Sequence, residues 1–207
     1  LLAQETKVKS AKLGLMVDGL QADELKAIQE FVVNQQALES VIINESLLTS
    51  ESINNLGLTH LWIHQLSENN SSYENSEVGE SLKKYVKNGG NLILSMDAVK
   101  LLNVWGIEKN TLEVKSDSIT DDGFGRPLGF HAFKSHPVFD GMNGGAYPWK
   151  SKKDHVVRKI GFFGDNMPDE NIAKVIGIEW TYITFHENNK LVLEYKLGKG
   201  KIIAVGA

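Results

Sequence analysis

Four times in the first half of the 207-residue chain, a short apolar run of strand type gives way to a segment with helical spacing. Residues 12–18 (KLGLMVD) read as a strand closed by the turn pair Asp18-Gly19, and Asp23 is placed to cap a helix carrying Leu25, Ile28, Phe31 and Val32. Residues 41–43 form a second β-branched run, and 49–56 a weak helix with Thr49 or Ser50 as its cap. Residues 59–64 (THLWIH) read as a third strand, and the Ser- and Asn-rich stretch 67–76 as a loop. Val78, Leu82, Tyr85 and Val86 mark a helix that stops at Asn88-Gly89-Gly90. Residues 91–95 (NLILS) give a buried strand, and 98–103 a short helix. Strands that alternate with helices cannot pair as hairpins, so this rhythm predicts an α/β fold with a mostly parallel sheet and helices on both faces. Its crossovers should be right-handed.

The rhythm breaks after Trp105-Gly106. Residues 121–164 hold 8 of the 19 glycines and all but Pro168 of the 4 prolines, a density that predicts an irregular, turn-rich insertion over about 106–170. Strand-like runs resume at 173–180 (AKVIGIEW), 190–195 and 201–205, the last two joined by the hairpin-type turn Leu197-Gly198-Lys199-Gly200. Residues 180–187 alternate large and small side chains as one half-buried strand would, with Trp180, Tyr182 and His186 on one face. The expected organisation is a polar tail over 1–10 and a single domain over 11–207. A sequence stopping after a strand predicts either a piece of a longer polypeptide or a bare sheet edge.

Composition removes several functions. A net charge of −4 argues against nucleic acid, whose phosphates reward clustered Lys and Arg. Apolar runs such as 91–95 and 201–205 are far too short to span a bilayer. The absence of Cys excludes disulfides, thiolate metal sites and a Cys nucleophile. Leu1-Leu2-Ala3-Gln4 reads either as the end of a signal peptide or as an arbitrary boundary.

The candidate site residues gather in and near the insertion. Asp121-Asp122-Gly123-Phe124-Gly125-Arg126, with His131 and His136, offers carboxylates and imidazoles for acid–base work or a divalent metal. The preferred reading is turn chemistry at Asp-Asp-Gly and a turn entry at His136-Pro137, since two His five apart share neither a helical nor a strand face. Gly123-Phe124-Gly125-Arg126-Pro127 lacks the Lys-Ser/Thr of a phosphate-cradling loop, so no nucleotide is expected. Tyr147-Pro148-Trp149 supplies flat aromatic faces on which a sugar ring can stack, with Asp122, Arg126 and His131 as hydroxyl partners. The competing reading makes Tyr147 and Trp149 the anchor that seats the insertion. His64 ends a predicted parallel strand, where open α/β sheets bind ligands. The ligand-binding candidates are therefore Asp122, Arg126, His131, Tyr147, Trp149 and His64, with no cofactor and no metal assigned.

Three stretches together resemble the class I glutamine amidotransferase-like superfamily. Residues 85–95 (YVKNGGNLILS) resemble the helix, Gly-Gly turn and strand that precede its nucleophile. Residues 136–142 (HPVFDGM) resemble a segment of the trehalose-utilisation, ThuA-like branch, and residues 195–206 (YKLGKGKIIAVG) the closing hairpin of that branch and of β-galactosidase trimerisation domains. The resemblance implies a flavodoxin-like three-layer sandwich. It also implies a departure: Ser95-Met96-Asp97 occupies the turn where the superfamily carries Cys, with Met96 or Ser95 nearest the nucleophile position. A thioether has no proton to lose and cannot be acylated, so glutamine hydrolysis is not expected. The implied role is that of a non-catalytic domain of an exported bacterial protein linked to polysaccharide use, periplasmic or at the cell surface. It would bind carbohydrate, or support assembly with a neighbouring domain or a second copy. Two alternatives stand beside this: a carbohydrate-active or metal-assisted hydrolase using Asp122, His131 and His136, and a purely structural oligomerisation module.

Overall fold

The computed structural model describes residues 11–17, 20, 22–34, 38–44, 47–48, 50–65, 76–112, 115–120, 129–132, 136–141, 145–146, 156–161, 166–181 and 184–206. In the alternating half, β1 (Ala11–Met16), β2 (Leu38–Ile43), β3 (His60–Gln65) and β4 (Asn91–Met96) are separated by α1 (Ala22–Val33), α2 (Ser50–Asn55) and α3 (Ser76–Lys87). A 3-10 turn over Asp97–Lys100 then leads into α4 (Leu101–Val104). Because α1 opens at Ala22, Asp23 lies inside its first turn and does not cap it; a carboxylate there still meets the positive end of the helix. The Gly pair stops α3 by a Schellman arrangement. Gly89, at φ 113, donates to the carbonyl of Val86, and Gly90 to that of Tyr85.

The second half adds β5 (Lys115–Thr120), β6 (Gly129–Ala132), β7 (Gly145–Ala146), β8 (Val156–Gly161), β9 (Ala173–Thr181), β10 (Thr184–Leu197) and β11 (Gly200–Val205). Nine strands form one sheet in the order β2-β1-β3-β4-β11-β10-β9-β6-β7, while β5 and β8 pair as a separate ribbon. From β2 to β11 every pairing is parallel; from β10 outward every pairing is antiparallel.

Three expectations change. The insertion is not irregular throughout, since it contributes β5 to β8; β6 and β7 are too short to show a period, and β5 has Ile119 as its one apolar residue. Residues 180–187 are not one strand, because the chain reverses between β9 and β10 with Thr181 opposite Thr184 and Trp180 opposite Phe185. Alternation continues through a tight reversal and does not reveal it. Finally, β11 is no edge: it lies between β4 and β10, the most protected place a strand can take.

Among the described residues, different elements cover the two faces of the parallel half. On one side Leu61, Ile63, Leu92, Leu94, Ile202 and Ala204 pack against Ile53 of α2, Leu82, Tyr85 and Val86 of α3, and Leu101 and Leu102 of α4. On the other side, among the described residues, Ile28 and Val32 of α1 meet Leu13, Leu15 and Trp62, and Phe139 packs against Ile203 and Val205. Register places three rows of side chains across this second face, with partners taken strand by strand: His60, Asn91 and Lys201; then Trp62, Ile93, Ile203 and Glu194; then His64, Ser95, Val205 and Val192. Among the described residues no helix is long and apolar enough to cross a membrane.

Candidate functional site

The C-terminal ends of parallel strands are where sheets of this kind bind ligands. Here that end is formed by β3 and β4, with His64 beside Ser95 and Gln65 beside Met96. Met96 terminates β4 at φ 57, ψ −127 and begins the 3-10 turn. It is the one non-glycine residue with positive φ among the described residues. Holding an L side chain there costs about 1–3 kcal/mol, a strain that persists only where the surrounding packing imposes it. The bend is therefore a built feature. Its occupant is 6% exposed and packed into the main core, with no dissociable proton and no attacking atom to offer. Of the two sequence candidates for the bend, the structure selects Met96.

Ser95 sits one residue earlier, still on the strand and on the opposite face. Its Oγ accepts a hydrogen bond from Trp62 Nε1 at 2.8 Å and lies 2.7 Å from His64 Nδ1. An indole N–H only donates, whereas the serine hydroxyl has a proton to give and a second lone pair to accept with, so its contact with Nδ1 suits either imidazole tautomer. The other ring nitrogen, Nε2, faces Glu24 Oε1 of α1 at 3.9 Å. Burial lowers the pKa of His64 and outweighs the upward pull of Glu24 and Asp97, which favours the neutral ring.

Hydroxyl, imidazole and carboxylate are the members of a hydrolytic triad, yet the arrangement differs from one in three respects. The hydroxyl is engaged on both sides and the residue is only 6% exposed. The carboxylate stands beyond hydrogen-bond distance of the ring. The strained bend that would thrust a nucleophile out of the sheet belongs to the neighbouring residue. What the cluster does is tie β3 to β4 beneath α1. Beside it, Gln65 is 4% exposed and its Nε2 has no hydrogen-bond partner among the described residues. A buried donor left open is uncommon in native structures.

His136 belongs elsewhere. Its Nδ1 accepts from Val138 N at 3.3 Å, capping the 3-10 turn Pro137–Phe139, and its Nε2 meets Glu194 Oε2 at 3.0 Å. Lys201 Nζ reaches the same oxygen at 2.9 Å, and Lys174 Nζ reaches Oε1 at 3.2 Å. Burial opposes ionisation of Glu194, but hydrogen bonds from Lys201, His136 and Lys174 outweigh it and hold the carboxyl down at about 2. A carboxyl depressed in the folded state stabilises above its unfolded pKa, and that contribution disappears as pH falls from about 4.5 toward about 2. Thermal melts over this interval should show Glu194→Gln losing less of its midpoint than wild type, by about 5 °C or more. Parallel curves for the two proteins would contradict the assignment.

Of the sequence candidates, only His64 is placed at the β3–β4 end with its side chain described. The backbone of His131 lies on β6 opposite Gly145 and Ile178, its side chain not among those described. Asp121, Asp122, Arg126, Tyr147 and Trp149 lie outside the described residues. Among the described residues no three His, Asp or Glu side chains gather as metal ligands would. Sequence reasoning missed Glu24, because nothing local links the first turn of α1 to the end of β3.

No family model matches the sequence, and no curated protein matches it. Solved structures do. A chain of the PurLQS structure from Thermotoga maritima is similar over 96% of this chain and 87% of its own, with a TM-score of 0.59 at 8% identity. The exo-beta-1,4-mannosidase Op5Man5 from Opitutaceae bacterium strain TAV5 aligns with 96% of this chain and 31% of its own, with a TM-score of 0.49 at 12% identity. The likeness to PurLQS is one of fold: this chain has an amidotransferase-like α/β fold and contains no cysteine to serve as that fold's nucleophile.

Proposed function

We propose that the chain is a non-catalytic amidotransferase-like domain that works by binding, with carbohydrate as the ligand at the end of β3 and β4. The carrying observation is Met96, a buried thioether in the strained bend that ends β4. The open donor of Gln65, at the same strand end as His64 but on the opposite face, supports a polar ligand. The sequence supports a sugar through Tyr147 and Trp149, aromatic faces flanked by Asp122, Arg126 and His131. Export and a setting in polysaccharide use complete the proposal and rest on the ThuA-like resemblance.

A glycan-array screen followed by titration calorimetry tests it. Wild type should bind a restricted set of glycans, and Trp149→Ala and His64→Ala should each weaken binding about tenfold or more. Silence across the array, or binding indifferent to both substitutions, would remove carbohydrate from the account. The rival reading, a hydrolase attacking through Ser95, draws on the 2.7 Å contact with His64.

A further inference from the structure

At the N-terminal end of β3 and β4, away from His64 and Ser95, an open pocket of about 460 Å³ lies between the ends of α2 and α3. That volume falls within the range of small-molecule sites. Ile53 and Leu58 give it an apolar wall, and Asn54, Asn88 and Asn91 bring side-chain amides. None of the lining residues carries a charge. Tyr85 lies at the floor, its ring against Gly90 so closely that a methyl group there would overlap Cζ. The residue is 6% exposed, and its hydroxyl has no hydrogen-bond partner. The neighbouring N–H of Asn91 is spent on the carbonyl of Thr59 at 3.0 Å. A hydroxyl can both give and accept a proton, so the floor holds an unused polar group.

Amides donate and accept through one group, as sugar hydroxyls do, and an apolar wall suits the C–H face of a sugar ring. Charge stands just outside the lining. Lys199 adjoins Gly89, where an added methyl group would lie 3.8 Å from its Cβ, and its backbone N–H donates to the carbonyl of Lys87 at 3.1 Å. Both lysines are exposed, and among the described residues neither forms an ion pair. The helix dipole accounts for Lys87 in the last turn of α3, but Lys199 belongs to the turn between β10 and β11. We infer that this pocket binds an acidic saccharide, a uronate unit whose hydroxyls meet the amides and Tyr85 while its carboxylate meets Lys199 and Lys87. The pocket is separate from the carbohydrate site proposed at the other end of the strands, and neither needs the other.

Amide-detected NMR titration with digalacturonate, lactose and glutarate tests it. Digalacturonate should move the backbone signals of Gly89 and Gly90 and the side-chain signals of Asn88 and Asn91. Lactose should move the same signals with about fivefold weaker affinity, and glutarate, a carboxylate without a ring, should move none. Lys199→Gln, at an exposed residue, should bring digalacturonate down to the lactose affinity. Tyr85→Phe should weaken both disaccharides about fivefold without lowering the melting midpoint, because the hydroxyl has no partner in the free protein. His64→Ala should change none of this. Still signals with both disaccharides, equal affinity for the two, or movement by glutarate overturns the inference. So does indifference to Lys199→Gln or Tyr85→Phe, or a midpoint that Tyr85→Phe lowers. Binding lost in His64→Ala would also overturn it, by assigning the saccharide to the other end of the strands.

Discussion

Gly200→Ala is expected to lose about 3 kcal/mol or more of stability, enough to lower the melting midpoint by roughly 10 °C. Gly200 opens β11 where that strand passes the end of α3 and the start of β4. A methyl group there would collide with the carbonyl oxygens of Gly90 and Val86. Both are backbone atoms fixed in the turn that ends α3, so no side chain can swing aside. Gly57→Ala is the control. Gly57 has φ 62 but open space around the added carbon, so its cost is limited to the left-handed backbone, about 1–2 kcal/mol. Urea melts of the two variants should differ by more than 1 kcal/mol, and equal losses would mean that the approach of β11 to α3 is looser than described.

The bend at Met96 makes the second large effect. Met96→Ala removes a buried side chain and keeps the strain, at a cost of about 2–4 kcal/mol. Met96→Gly removes the same side chain but relieves the positive φ, recovering about 1–3 kcal/mol. The Gly variant should therefore be the more stable, reversing the ordinary order in which Ala exceeds Gly by about 0.5–1 kcal/mol. If the Ala variant melts higher, the bend is unstrained and its kinship with a nucleophile turn is lost.

The parallel half was legible because its signals are local: β-branched runs, helical spacing in α1 and α3, and a Gly pair whose hydrogen bonds lie within six residues. What stayed hidden depends on distant pairs. Glu108 is nearly fully buried, accepting from Tyr195 Oη at 2.9 Å and from Asp169 N at 3.2 Å. A lone Glu after a short helix gives no sign of partners so far along the chain. Glu24 meets His64 by the same kind of long-range packing. The position of β11 inside the sheet was equally invisible, since strand order is set by crossovers and not by the strand's own residues. At the site, the change at the bend was readable as a missing Cys, whereas which of Ser95 and Met96 occupies it was a matter of one residue's backbone angles.

The proposed non-catalytic role requires the β3–β4 end of the sheet to be chemically silent, which labelling with a fluorophosphonate followed by intact-mass analysis and peptide mapping reads out. No adduct on Ser95 is expected, because that hydroxyl is held between Trp62 and His64 within the sheet. A stoichiometric adduct on Ser95 that disappears in His64→Ala would contradict it and make the chain a working serine hydrolase.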